Sequence, residues 1–279
     1  MTARSHALRP YAAVVSARFR VLLQYRAAAI AGLWTQIFFG LVLIMIYEAF
    51  YRSSTAAVQP MTFAQLVSYV WLGQALLATL PWNVDGDLKA LIRSGAVAYE
   101  LCRPIDLYGL WFARAAAHRT APAVLRAVPL AAFAMFVLPL LGLGAWRLAP
   151  PASLAAGACF VIALGCAIVL GCAISTLINI TLMWTVAGDG IIMLATTAVS
   201  LLSGLIIPLP LLPAWSQAVV RWLPFAGLFD LPFRIYNGHI APAGLTLVLV
   251  RQLGWTIAII VLGRWLLRRG MRRIVVQGG

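Results

Sequence analysis

The chain has 279 residues, of which 63% are hydrophobic and only 10% are charged, and its mean hydropathy is +0.95. Soluble domains carry about 25% charged residues, so this composition excludes a soluble domain and indicates an integral membrane protein. The net charge of +14 does not indicate a nucleic-acid partner, because the basic residues flank apolar runs, where they meet anionic lipid headgroups. We therefore expect membrane lipid as a partner and no nucleic acid.

The first segment, residues 1–28, is predicted to be a cytoplasmic tail that contains an amphipathic helix. On a helical wheel Tyr11, Val15 and Phe19 share one apolar face, whereas basic and polar residues share the opposite face. A basic amphipathic helix of this kind lies in the plane of the headgroups. The arginine-rich, acid-free start also resembles a mitochondrial transit peptide. The amphipathic pattern favours an N-terminal interfacial helix, and no secretory signal is evident.

Six apolar runs follow, each close to the roughly 20 residues that a membrane-spanning helix needs. They lie at about 29–51, 63–82, 127–146, 152–178, 185–207 and 244–267. The pattern predicts an all-α membrane protein with six transmembrane helices, in which residues 29–279 form one membrane domain.

The basic residues predict the orientation of these helices. They cluster before the first run, between the second and third runs, and after the last run. The opposite side of the membrane receives only four, namely Arg52, Arg147, Arg221 and Arg234. By the positive-inside rule, both termini, the loop 83–126 and the tail 268–279 are cytoplasmic.

Few polar residues interrupt the runs, and an ionisable residue inside a membrane is a functional candidate by default. Asp189 begins the fifth run, either as a buried polar contact or as a solvated group at the cytoplasmic mouth. Gln74 lies in the second run, and Thr196 and Ser200 share a small-residue face of the fifth. Such a face indicates close helix packing or a sliding or dimer-forming surface, and the pattern leaves both open.

Prolines punctuate residues 208–232, beginning with Pro208 and Pro213, and tryptophans lie between them. Proline breaks helices, and tryptophan favours the interface between membrane and water. We therefore predict short broken helices that follow the fifth span and dip into the outer leaflet.

The loop 83–126 is the most charged part of the chain. Four of the seven acidic residues fall within about 22 residues there, together with several basic residues. We expect a mixed-charge helix that is capped by Ser94 and ends at Pro104. The loop is either a docking surface for a soluble protein or a solvated connector, and the composition favours neither.

The residues of this loop resemble a known family. The pattern Ile92-Arg93-Ser94-Gly95, then Glu100-Leu101-x-Arg103-Pro104-x-Asp106, follows the second of six spans, as in the ABC-2 family of exporter permeases. Further matches run in order along the chain, at 183–185, 203–208, 212–215, 223–225, 235–238 and 269–279. Each motif is weak alone, and the ordered set is more specific. Ala96 departs from the pattern, because an acidic residue is expected after the glycine.

The resemblance implies a mechanism. Two permeases, identical or sibling, would pair with two cytoplasmic ABC-type ATPases in a bacterial plasma (inner) membrane, and ATP and magnesium would bind in the ATPases. The interfacial helix and the docking loop, with Arg93, Gly95, Glu100, Leu101, Arg103, Pro104 and Asp106, would contact the ATPase. Spans two and five would line the path, with Gln74, Asp189, Thr196 and Ser200 as candidates. The outer gate would include Pro208 and Pro213.

The chain itself is not expected to be an enzyme. Its only lysine, Lys89, is followed by alanine, whereas a phosphate-binding P-loop needs Gly-x-x-x-x-Gly-Lys-Ser/Thr. Neither HExxH nor GxSxG occurs, and the cysteines and histidines have no metal-binding spacing. We therefore predict no catalytic, cofactor-binding or metal-binding residues. The alternative function is a secondary transporter or channel that works without an ATPase, for which Asp189 is the available support.

Overall fold

A computed structural model describes residues 3–24, 26–54, 59–81, 83–184 and 189–272 of the chain. All regular secondary structure in these ranges is helical, so the all-α prediction is confirmed for them. Parts of the predicted tails, including residues 1–2, 25 and 273–279, lie outside the described residues, as does Thr185 of the motif at 183–185.

The α-helices in chain order are α1 Ala3–Gln24, α2 Arg26–Ser53, α3 Phe63–Leu76, α4 Gly86–Arg93, α5 Val97–Leu101, α6 Leu107–Ala132, α7 Leu138–Leu140, α8 Leu154–Thr181, α9 Asp189–Leu202, α10 Ala214–Val220, α11 Asp230–Tyr236 and α12 Leu245–Met271. A π-helical turn at Phe133–Val137 joins α6 to α7, so these two helices run on as one.

In the part of the chain that the structure describes, four helical segments are long and apolar enough to cross a membrane. They are Ala27–Ser53, Leu107–Leu140, Leu154–Trp184 and Pro242–Met271, and they overlap the first, third, fourth and sixth predicted spans. The third predicted span, at about 127–146, extends beyond its helix, which ends at Leu140. The second and fifth predicted spans correspond to shorter apolar helices, Phe63–Thr79 and Asp189–Leu202. A helix of 14 residues is only about 21 Å long, so the count of six spans stays a prediction.

The second long helical segment begins well before the third predicted span at about 127–146. It starts at Leu107, where the Asp106 side chain caps it by accepting a hydrogen bond from the Gly109 N–H at 2.8 Å. Arg114 and Arg119 interrupt the apolar pattern, which is why the sequence assigned them to a loop. Both side chains are buried and have partners within the protein, so they do not end the helix.

Helix α8 is central to the bundle and packs against α6, α11 and α12. Small residues recur every four positions on one buried face of α8, at Ala163, Ala167, Gly171 and Ser175. A Cβ at Gly171 would lie 3.1 Å from the backbone oxygen of Thr79. The small residues therefore let the end of the second predicted span approach the α8 backbone closely.

The proline-rich segment after α9 forms short helices, as the prolines predict. They comprise 3₁₀ turns at Leu209–Leu211 and Pro224–Gly227 and the helices α10 and α11. Asn237, at the end of α11, and Gln65 of α3 each donate a side-chain hydrogen bond to the other's backbone oxygen. These bonds attach the segment to the second predicted span.

Helix α1 packs along the first half of α6. Tyr11, Val15 and Phe19 are half-buried, whereas Arg9, Ser16 and Arg20 are exposed, so the predicted apolar face is the packed one. Its position in the headgroup plane stays a prediction.

Candidate functional site

The charged segment, residues 83–106, folds into two short helices, α4 and α5. Asp85 caps α4 by accepting hydrogen bonds from the N–H groups of Asp87 at 3.1 Å and Leu88 at 3.2 Å. Gly95 has a φ of +72°, a conformation that glycine adopts without steric cost, so it permits the turn between the helices. The mixed-charge helix predicted to be capped by Ser94 and to end at Pro104 is wrong in both bounds: Ser94 is the C-cap of α4, and α5 spans only Val97–Leu101.

A buried ion network, which we call the Arg114 network, holds the segment on α6. Arg114 donates to Asp85 Oδ2 at 3.2 Å and to Glu100 Oε1 at 2.9 Å. The Trp111 indole donates to Glu100 Oε2 at 2.8 Å. A buried charge is costly unless it is paired and hydrogen-bonded, and these contacts meet that condition. The network therefore joins the start of α4, α5 and α6.

Helix α1 reaches the same network through Arg18. Its guanidinium lies 3.3 Å from an oxygen of Asp85 and 3.3 Å from an oxygen of Asp87. Burial raises the pKa of the Asp85 carboxyl, but the charges of Arg114 and Arg18 and the hydrogen bonds from Leu88 and Arg114 together lower it by more, so the pKa lies below its ordinary value. Asp85 is therefore ionised at neutral pH and binds both arginines as a carboxylate.

The start of α6 is tied to α1 and α12. The Asp106 N–H donates to the Tyr11 hydroxyl at 3.2 Å, and Arg264 of α12 lies 3.4 Å from Asp106 Oδ2. A Cβ at Gly109 would lie 2.8 Å from the Tyr11 ring, so the glycine allows α1 to pack closely on α6.

An open cleft of about 760 Å³ lies between α1 and the charged segment. Val14 and Arg18 of α1 line one side, and Leu91 and Tyr99 line the other. The Tyr99 side chain is 79% exposed, and Arg103 at the cleft is also exposed. The cleft therefore offers apolar, aromatic and basic contacts above a buried ion network.

The predicted docking residues fall into two groups. Arg93, Gly95, Leu101, Arg103, Pro104 and Asp106 are exposed. Glu100 is only 7% exposed and binds Arg114 and Trp111, so its carboxylate is directed into the protein. It holds α5 in place and offers no surface charge.

Asp189 connects the charged segment to the fifth predicted span. Its carboxylate is paired with the Lys89 ammonium and, at 2.8 Å, with the Arg93 guanidinium. The Asp189 side chain is 61% exposed, so of the two alternatives the solvated position at the end of the helix is correct.

The other predicted path and gate residues take no part in the ion pairs of Asp189. Gln74 is buried within α3. The Thr196 and Ser200 hydroxyls donate to backbone oxygens one turn earlier in α9, those of Ile192 and Thr196. Pro208 is buried and Pro213 is exposed.

Arg119 is an internal contact that the sequence did not single out. It donates to the backbone oxygens of Leu80 and Asn83, both at 2.6 Å, and to side-chain oxygens of Asn83 and Ser175. It thereby joins α6, α8 and the chain that follows α3. The available signal was that Arg119 lies in an alanine-rich stretch, 113–127, between Arg114 and Arg126.

Asp230 was also missed. It is fully buried at the start of α11, 3.4 Å from the Tyr69 hydroxyl and 3.7 Å from Arg234. In the sequence Asp230 lies among proline and aromatic residues, and this pattern does not predict whether its carboxylate is buried. Asp230 links the proline-rich segment to α3.

Several apolar helices of membrane length, with a folded charged segment beside them, define a multi-pass membrane protein. A family model described as an ABC-2 family transporter protein matches residues 37–278. The chain therefore belongs to the ABC-2 transporter family, and the resemblance seen in its motifs is confirmed. No curated protein and no solved structure matches the chain. The family supports a membrane permease of an ABC-type transporter that works with an ATPase subunit.

Proposed function

We propose that the chain is the permease of an ATP-driven exporter, and that it forms the translocation path with a second permease, identical or sibling. Two separate ATPase subunits would bind ATP and magnesium and drive transport. The observation that carries this proposal is the cleft between α1 and the charged segment, together with the family membership.

The cleft suits a docking role because its walls present exposed side chains, while the Arg114 network beneath them holds the walls in place. Tyr99, Leu91 and Arg103 offer aromatic, apolar and basic contacts to a partner. The Arg114 network holds α4 and α5 on α6, so a force applied at the cleft reaches the long helices. ATP binding would close the ATPase pair and displace the charged segment. The helices would then move in the hinge or shear manner of domain closure.

The proposal includes an orientation. The cleft faces the cytoplasm of a bacterial cell, both termini lie on that side of the inner membrane, and six helices cross it. The short helices after α9, with Pro208 and Pro213, form the outer gate.

Co-purification tests this function. The tagged chain is extracted from its native membranes in mild detergent, and its partners are identified and quantified by mass spectrometry. We expect an ATP-binding subunit in near-equal amount, and any second permease identifies a heterodimer. A chain that comes out alone, under conditions in which a known transporter complex survives, would favour the secondary transporter or channel.

A cleft variant makes the test specific. Tyr99→Ala combined with Arg103→Glu is expected to lose the ATP-binding subunit, because it removes the aromatic contact and reverses the basic one. Arg147→Glu is the matched control, since Arg147 is exposed but lies in the connection between α7 and α8. Equal recovery of the ATP-binding subunit from both variants would remove the cleft from the interface.

A further inference from the structure

The ion pairs of Asp189 form a cluster, which we call the Asp189 cluster, between two parts of the chain about 100 residues apart. Lys89 and Arg93 are four residues apart in α4, so they lie on one face of that helix. Lys89 contacts Oδ1 of Asp189, and Arg93 contacts Oδ2. Each carboxylate oxygen therefore has its own cation, and both cations belong to the same short helix.

The cluster lies where α9 begins. Asp189 is the first residue of α9, where a carboxylate also interacts favourably with the helix dipole. Just before it in the chain, the 3₁₀ turn Leu182–Trp184 at the end of α8 packs against α4. The helix α4 is therefore in contact with the segments on both sides of residues 185–188.

The start of α9 has few other attachments. Val199 is buried and lies almost three turns beyond Asp189, and the half-buried Ile192 and Ala195 pack against the apolar core. Ile191, Met193 and Leu194 are exposed. In the described protein, the ion pairs of Asp189 thus attach the first turn of α9 to α4, and the apolar contact of Ile192 attaches it to the core.

We propose that Asp189 is a positioning residue for the coupling of ATP hydrolysis to transport. Its ion pairs with Lys89 and Arg93 hold the first turn of α9 against α4, so that a displacement of α4 is carried directly into α9. This inference rests on the proposed function, because the displacement comes from the docked ATPase.

The exposure of the cluster fits this role. Exposed ion pairs contribute little to the stability of a protein, so the loss of Asp189 leaves the fold intact. The two cations of α4 hold both oxygens of the Asp189 carboxylate. A displacement of α4 is therefore expected to move the first turn of α9 with it. A purely structural role predicts a change in stability, whereas a positioning role predicts a change in coupling alone.

The experiment measures transport and ATP hydrolysis together in the full complex with its ATPase, reconstituted into liposomes. The Asp189→Asn variant is expected to hydrolyse ATP but to move about tenfold less substrate per ATP, within the range usual for coupling between sites. Glu48→Gln is the matched control. Glu48 also binds two donors, Arg52 and Trp146, but it lies near the C-terminal end of α2 and contacts neither α4 nor α9 through these bonds. The control is expected to keep the wild-type ratio.

A charge exchange completes the test. Asp189→Arg is expected to uncouple the complex more strongly than Asp189→Asn, because the new positive charge is repelled by Lys89 and Arg93. Adding Lys89→Glu to Asp189→Arg restores one pair of opposite charges and leaves the predicted docking residue Arg93 unchanged, so we expect the ratio of transport to ATP hydrolysis to rise above that of Asp189→Arg alone. An unchanged ratio in both single variants of Asp189, or an absence of any recovery in the double variant, would overturn the inference.

The two proposals fail in different ways. If the wild-type chain neither binds an ATPase nor transports with ATP, the proposed function is wrong and the inference falls with it. If the wild-type complex couples normally and Asp189→Asn does the same, only the positioning role is wrong.

Discussion

The Arg114 network and the Asp189 cluster both hold the charged segment, and they differ in burial. The Arg114 network joins α4, α5 and α6 through side chains that are each less than 10% exposed. The Asp189 cluster joins α4 to α9 through a carboxylate that is 61% exposed. Both use carboxylates and cations, yet only the first is shielded from water. We infer that the buried network maintains the fold of the segment, whereas the exposed cluster connects it to a helix that moves.

The largest expected effect comes from breaking the buried network. Arg114→Met leaves the carboxylates of Asp85 and Glu100 buried without their main partner, which typically costs about 3–5 kcal/mol. We expect a clear fall in the unfolding temperature of the detergent-solubilised protein, measured by intrinsic fluorescence. Arg268→Met, at an exposed arginine near the end of α12, is the control. Equal small shifts in both would contradict the distinction between the clusters.

Arg119 provides a second buried comparison. Arg119→Met leaves the backbone oxygen of the buried Leu80, and that of the exposed Asn83, without the donor that they have in the structure. A buried polar group without a partner costs about 1–3 kcal/mol, so we expect a destabilisation of that order in the same assay. Arg119→Lys keeps a charge and is expected to recover part of the loss. A neutral result for Arg119→Met would mean that water reaches these oxygens.

Glu100 and Arg103 separate folding from docking within one short stretch. Glu100→Gln weakens the bonds to Arg114 and Trp111, and hydrogen bonds to charged groups contribute about 1.5–3 kcal/mol. Arg103→Glu changes an exposed residue, so we expect normal stability but weaker recovery of the ATP-binding subunit. Unfolding and co-purification, measured on both variants, check this. A variant that exchanges the charges of Glu100 and Arg103 does not test docking, because Glu100→Arg places a cation at a buried position beside Arg114 and destabilises the protein.

Acid should weaken the network through Asp85. Its pKa in the folded protein is below the ordinary value, so the stabilisation is present at neutral pH and is lost as the pH falls through the folded pKa. We expect the unfolding temperature of the wild type to fall more steeply below about pH 4 than that of Asp85→Asn. Parallel curves would show that Asp85 does not stabilise the segment as a carboxylate.

The smallest effect on stability is expected at Asp189. Because its pairs are exposed, Asp189→Asn should unfold at the wild-type temperature in the assay used for Arg114→Met. A fall as large as that of Arg114→Met would make the Asp189 cluster a structural element and remove the contrast between the two clusters.

The sequence predicted the long helices well, because their apolar runs are continuous. The run predicted at about 152–178 corresponds to α8 at Leu154–Thr181, and the run at about 244–267 corresponds to α12 at Leu245–Met271. The start of α6 was not predictable in the same way. Arg114 and Arg119 appear as loop charges in the sequence, and their partners, such as Asp85 and Ser175, are 29 and 56 residues away.

The candidate site was predicted in part. The motif from Arg93 to Asp106 identified the segment, but it could not distinguish the exposed Arg103 from the buried Glu100. That difference depends on α6, which covers Glu100 through Trp111 and Arg114. Asp189 was noted as an acid at a span end, but its cations lie 96 and 100 residues earlier. Pairings over such distances are set by tertiary packing and leave no periodic pattern.

Site-specific cross-linking tests the central claim most directly, namely that the cleft between α1 and the charged segment receives the ATPase. A photo-reactive phenylalanine analogue replaces Tyr99 in one version of the chain and Arg147 in another, and native membranes are irradiated. We predict a covalent product between the chain and an ATP-binding subunit from position 99 and none from position 147. A product from position 147 alone, or equal products from both, would contradict the account.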